Sequence, residues 1–175
     1  MDIEKYVEDL LVASDCSALS LSEFAKLYIN KLVFNLVTYV DSNISVGSIE
    51  SVQSYSVRNE LSQEITGIPG AYSAIDGNEN VLAQFAEQYS KLGIEDFGLL
   101  AKEALLDFLN LHNGLFVVLL SKMNICELSL NAPTQNGNKL IGSEPNAMLT
   151  IIPVTFSYGT IRFVLGECPS GIKSR

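Results

Sequence analysis

Residues Glu103–Pro133 read EALLDFLNLHNGLFVVLLSKMNICELSLNAP, and the first two-thirds of that stretch decides how the chain is organised. At about 100° per residue, Glu103, Asp107, Asn110 and Gly114 fall within about 60° of one another, while Leu105, Phe108, Leu109, Leu115, Phe116 and Leu119 crowd the far side. The spacing predicts a long helix over 97–122, started by Asp96. One face is core; the other is a narrow carboxylate and amide stripe flanked by Leu100 and Leu111.

Downstream of that helix, Ile125–Leu130 reads as a strand and NAPTQNGN as a loop. Residues 147–156 and 160–165 then form a hairpin turned at Ser157-Tyr158-Gly159. Upstream, Asn80 caps a helix that runs to about Leu92 and stops at Gly93. Before it, residues 44–58 alternate apolar and polar as one or two strands, and 61–75 is a strand pair broken at Ile68-Pro69-Gly70. Asp76-Gly77-Asn78 is a turn. Ser20-Leu-Ser-Glu23 has the form of a capping box for a helix to about Val40, and residues 2–13 carry Ile3, Tyr6, Val7, Leu10 and Leu11 at helical spacing. The tail from Pro169 is expected to fray. This order of helices and hairpins gives an α+β fold class, long helices packed on a largely antiparallel sheet, rather than a doubly wound one.

With 47% hydrophobic and 18% charged residues, 175 residues supply one domain with a single core. A net charge of −9 with only 11 lysines and arginines excludes a broad nucleic-acid footprint. Cys16, Cys126 and Cys168 form neither a disulfide framework nor a metal-type pair, and the lone His112 cannot complete a metal site. His112 lies toward the apolar side of the wheel, where a core histidine is expected rather than a general base. The acidic start MDIEKYVEDL lacks the features of a secretory signal, and runs such as LFVVLL at 115–120 are short of the ~20 residues that span a bilayer, so a cytoplasmic location is expected and no membrane partner.

Three polar residues at i, i+4 and i+7 are what any amphipathic helix needs as a solvated face. Gly114 on the same stripe argues for more, because an interior helical glycine costs roughly 0.5–1 kcal/mol relative to alanine and here allows close approach by a partner.

These residues resemble the CheC and CheX chemotaxis phosphatases, whose active helix reads Asp/Ser, three residues, Glu, two residues, Asn, then 22 residues and a Pro. Here Asn110 is followed by 22 residues and Pro133, and Gly114 matches a glycine the family often has four residues beyond the Asn. The family's Glu position is Asp107, one methylene shorter, and its Asp/Ser position is Glu103, longer. The resemblance covers residues 20–166 as a single CheX-like domain, with 1–19 as an added N-terminal helix and 167–175 as a tail; only one copy of the motif is present, as in CheX.

The resemblance implies dephosphorylation of the phospho-aspartate of a response-regulator receiver domain in chemotaxis or two-component signalling. Asn110 would position the attacking water, and Asp107 would pair with a receiver lysine. Glu103, Leu111 and Gly114 would contact the partner. The chain itself would bind no cofactor, Mg²⁺ being held by the receiver, and a homodimer is implied, with strands at 44–58 and 147–165 as candidate pairing edges. The alternative is a catalytically silent receiver binder, or a motor-switch-like interaction domain resembling the middle domain of FliM and FliY.

Overall fold

Residues 67–69, ending in Pro69, form a turn between two strands, and Gly70 opens the second. Strand β4 (Glu60–Thr66) and strand β5 (Gly70–Gly77) pair antiparallel across this turn, as the sequence predicts, although β5 runs on through Asp76 and Gly77 where a turn is expected. These two strands carry the helix that bears the polar stripe. The structure, a computed structural model, describes residues 2–13, 20–142 and 148–172. The SDCS stretch expected to end the first helix lies outside the described residues.

Four helices are described: α1 (Ile3–Ala13), α2 (Glu23–Tyr39), α3 (Glu79–Ser90) and α4 (Leu99–Lys122). The remaining strands are β1 (Ser45–Val46), β2 (Glu50–Val52), β3 (Tyr55–Val57), β6 (Ser129–Leu130), β7 (Thr134–Asn136), β8 (Lys139–Ile141), β9 (Leu149–Phe156) and β10 (Gly159–Cys168). The main sheet has the order β1-β9-β10-β5-β4-β6, with β2 also on β9 and β7 also on β4. Its pairings are antiparallel. The α+β class expected from the sequence is the one observed.

Strand alternation sorts the side chains into two layers. Leu61 and Ile65 of β4, Ala71 and Ile75 of β5, Ile152 and Val154 of β9, and Phe163 and Leu165 of β10 join the core beneath the helices. Ala74, Leu149, Ile151 and Val164 face the other way, under the small β3–β8 pair with Val57 and Ile141. On the helix side, α4 lies on β4 and β5, α2 and α3 flank α4, and α1 packs on α2 and β1 with Val7 buried. By length and composition α4 could cross a bilayer. It is instead inlaid against the sheet, with Leu105, Phe108, Leu109 and Phe116 fully buried.

Several boundaries differ from the sequence expectation. Helix α2 is capped by Ser22, whose hydroxyl accepts from the Ala25 amide at 3.0 Å, so Glu23 is its first residue and cannot complete a capping box with Ser20. Helix α3 is capped by Asn78 rather than Asn80, the Asn78 carboxamide accepting from the Asn80 amide, and it closes at Lys91 in the left-handed region rather than at Gly93. Helix α4 starts after Gly98, not at Asp96, because Ile94 and Phe97 are drawn into the core first.

In the segment 125–130 only Ser129 and Leu130 pair with the sheet. The stretch expected as a loop contains β7 and leads into β8, both found on existing edges rather than by their own apolar pattern. The hairpin turns on Ser157 and Tyr158 alone; Gly159 opens β10 at φ 141°, where a Cβ would lie 2.6 Å from Val81. Residues 169–172 are not frayed: Gly67 and Ile172 exchange backbone hydrogen bonds of 2.8 and 3.1 Å. Strands β9 and β10 are interior to the sheet, so of the two candidate pairing edges only the one at β1 and β2 remains.

Candidate functional site

The outward face of α4 carries Glu103, Asp107 and Asn110, all exposed, with Leu111 and Gly114 half-buried beside them. The wheel drawn from the sequence is therefore oriented as expected, and the structure brings these five residues onto one surface. An open groove runs along it between α4 and α3, lined by Glu103, Asp107, Leu111, Tyr89, Leu92 and Leu100. Leu92 and Leu100 are about half exposed, at 51% and 46%.

Asn110 is exposed but anchored. Its Oδ1 accepts from Nε2 of Gln63 at 2.7 Å. Gln63 sits on β4 between Leu61 and Ile65, pointing under α4, and is 1% exposed. The same Nε2 donates to the Asn131 carbonyl at 2.9 Å, and Gln63 Oε1 accepts from Nδ2 of Asn113 at 2.9 Å. Asn113 Oδ1 in turn faces the Tyr28 hydroxyl, which lies 2.5 Å from the Ser73 hydroxyl. A buried polar chain thus runs from β5 through α2, α4 and β4 and surfaces at Asn110. Pro133 stands two residues beyond Asn131, which brings its loop to the same amide.

Asp107 is held from the neighbouring helix, Oδ2 accepting from the Tyr89 hydroxyl at 2.7 Å. Burial, then the hydrogen bond and charge of Asp107, raise the Tyr89 pKa, so this phenol keeps its proton and donates. The second carboxylate oxygen remains available to a cation. At Gly114 a Cβ would meet, among the described residues, only the Leu130 methyl at 3.9 Å, so their packing does not call for glycine there.

His112 is fully buried, stacked on Phe108 and edge-on to Tyr28. Its Nδ1 accepts from the Asn35 amide at 3.0 Å, which puts the ring proton on Nε2, an atom without a partner among the described residues. Burial, with a smaller push from Lys31, lowers its pKa to about 3, so it is a neutral core residue turned away from the stripe. Among the described residues no group of three or more His, Cys, Asp and Glu side chains could hold a metal.

Three residues of this arrangement escape a reading of the sequence: Gln63, Asn113 and Tyr89. The signal for Gln63 is its register. In Leu61-Ser-Gln63-Glu-Ile65 it occupies a core-facing position, where an amide needs partners. Tyr89 carries no such mark, because the apolar face of its helix accounts for it.

The architecture has solved counterparts. A CheC-like superfamily protein from Shewanella sp. PV-4 superposes with a TM-score of 0.70 at 15% identity, over 84% of this chain and 98% of that one. The fold is that of the CheC and CheX proteins. The chemotaxis protein CheX from Desulfovibrio desulfuricans gives 0.66 at 16% identity, over 82% and 98%. CheX from Borrelia burgdorferi, solved in complex with CheY, BeF₃ and Mg²⁺, gives 0.52 at 13%, over 83% and 97%. The FliM middle domain of H. pylori superposes on this chain with a TM-score of 0.52 at 7% identity, over 94% and 91%. No family model and no curated protein matches the chain by sequence.

Proposed function

We propose that this chain is a CheX-like phosphatase that hydrolyses the phospho-aspartate of a response-regulator receiver domain, docking the receiver on the outward face of α4. Water oxygen attacks phosphorus in line with the acyl P–O bond; that bond breaks, its electrons return to the aspartate carboxylate, and inorganic phosphate leaves with both water protons. An acyl phosphate is already reactive, so the phosphatase need only orient the water and the receiver, with Mg²⁺ on the receiver neutralising phosphoryl charge.

Asn110 fits the water-positioning role because a neutral amide orients water without repelling phosphoryl oxygens. Asp107 fits the pairing role, one carboxylate oxygen held by Tyr89 and the other directed to a receiver lysine. Glu103, Leu111 and Gly114 form the margin of the docking face. A cytoplasmic location and a homodimer joined at the β1 and β2 edge belong to the same proposal, the latter supported if light scattering gives twice the monomer mass.

The observation that carries this reading is the Asn110 amide, displayed on the surface while its oxygen is held by a buried side chain. A merely solvated face has no use for that arrangement. The test is decay of a phosphorylated receiver with and without the protein. Acceleration abolished in Asn110→Ala supports the enzyme; binding of the phosphorylated receiver without acceleration supports a silent receiver binder instead.

A further inference from the structure

Gln63 is a buried polar side chain that the chemistry above leaves without a role. Its three hydrogen bonds, to Asn110, Asn131 and Asn113, use both hydrogens of Nε2 and the oxygen Oε1. Carboxamide oxygen and nitrogen have nearly the same shape, so their orientation has to be argued from their partners. Here one partner settles it. The Asn131 carbonyl can only accept, so the Gln63 atom facing it is the nitrogen, and the second hydrogen of that nitrogen is aimed at Asn110. The Asn110 atom that meets it is therefore Oδ1. On the other side, Gln63 Oε1 requires a donor, which fixes Asn113 with Nδ2 toward Gln63 and Oδ1 toward Tyr28.

Gln63, Asn113, Tyr28 and Ser73 are each no more than 1% exposed, so water does not compete for the bonds among them, and the chain reaches solvent only at its Asn110 end. Turning the Asn110 amide over would set two NH₂ groups against each other. Turning Gln63 over would set its oxygen against the Asn131 carbonyl. We propose that Gln63 is a positioning residue for Asn110, holding its amide in one orientation so that Nδ2 and one lone pair of Oδ1 face the incoming receiver. The orientation is thus set inside the protein before any partner arrives. An unsupported surface asparagine would sample several rotamers and both amide orientations, and loss of that positioning costs rate rather than binding.

The role rests on the reading of Asn110 as the water-positioning residue, and the test separates the two. Gln63→Met keeps the length of the side chain and removes all three hydrogen bonds. In receiver-phosphate decay it should lower the rate at saturating receiver by about ten- to a hundredfold and leave the half-saturating receiver concentration within about twofold. Introduced into Asn110→Ala, the same change should cost no further rate, whereas a purely structural defect would compound.

The second measurement needs no turnover. The side-chain ¹⁵N amide resonance of Asn110 should report a rigid group in the wild type and a mobile one in Gln63→Met, with the backbone amides of Asn110 and Leu111 unchanged. A mobile Asn110 amide in the wild-type protein overturns the proposal even if the variant does not fold, and so does a folded Gln63→Met with a full rate. A rigid amide released by Gln63→Met, in a protein that speeds no receiver's decay, would support the hold by Gln63 and sink the phosphatase reading alone.

Discussion

The Tyr89 hydroxyl donates to Asp107 Oδ2 at 2.7 Å, tying the last turns of α3 to the exposed face of α4. A carboxylate on a surface helix is ordinarily free to swing, and long-range attraction alone would not give it a register. With one oxygen held, the other points from a fixed place. The shorter acid found here is therefore anchored by a neighbouring helix.

Asp107→Ala should weaken receiver binding about fivefold, the equivalent of roughly 1 kcal/mol for an exposed charge pair, and remove much of its salt dependence. Tyr89→Phe should give a smaller loss, about two- to threefold, because the charge stays while its direction is freed. Asp107→Glu restores the residue usual in the CheC and CheX motif and should preserve or raise activity. Titrations of a receiver at low and high salt check the first two and receiver-phosphate decay the third, and unchanged binding by Asp107→Ala would leave the carboxylate without a role.

For Asn110→Ala the rate of receiver dephosphorylation should fall by about 10² to 10³, or ~2.7–4 kcal/mol of transition-state stabilisation. Stability should change far less. The Gln63 nitrogen keeps its bond to the Asn131 carbonyl, so the variant loses one hydrogen bond worth about 0.5–1.5 kcal/mol and regains part of it from the helix propensity of alanine. A melting curve within a few degrees of wild type, beside a lost rate, is the expected pair of results.

Gly114→Ala should separate folding from docking. A methyl group there meets only Leu130, at 3.9 Å, among the described residues, so the helix should gain about 0.5–1 kcal/mol of stability. If a partner backbone or side chain packs against this position, the same methyl should weaken receiver binding while the melting temperature rises. A variant that is more stable and binds as before would take Gly114 out of the docking surface.

The single histidine gives a clean pH signature. Its folded pKa, near 3, lies below the ordinary 6.5, so between these values the unfolded chain takes up a proton that the folded protein refuses. Stability from this group is complete above pH 6.5 and falls with acidification, by about 1.4 kcal/mol between pH 7.5 and 5.5. Chemical denaturation at those two pH values should show the loss in the wild type and abolish it in His112→Gln, which can still bond to Asn35.

Much of this was legible in the residues. The Pro-Gly break placed the β4–β5 hairpin, the 3.6-residue periodicity placed α4, and the stripe of Glu103, Asp107 and Asn110 faced outward as the wheel required. What was not legible depended on partners distant in sequence. Thr134–Asn136 is polar and exposed throughout, and it is a strand only because β4 offers it an edge. Asn78 and Asn80 are equally good caps on paper, and the extended backbone at Asn78 decides between them. Gln63 and Tyr89 lie 47 and 18 residues from the side chains they hold, distances at which periodicity carries no information.

Asn110 and Asn131 end on the same nitrogen atom, and the segment between them acts as a ruler. It consists of the last turns of α4, a left-handed step at Asn124 with φ 54°, and the crossing to Ser129–Leu130 on the edge of β4. One residue inserted in the helical part would swing Asn110 away by about 100°, and one inserted beyond it would shift the carbonyl by a strand position. Just beyond the helix, at Met123 and Ile125, chain length is under tighter control than residue identity, since both side chains are half exposed. Substitutions at those two exposed positions leave the ruler its length, while a one-residue deletion in it would silence the site and leave both asparagines in the sequence.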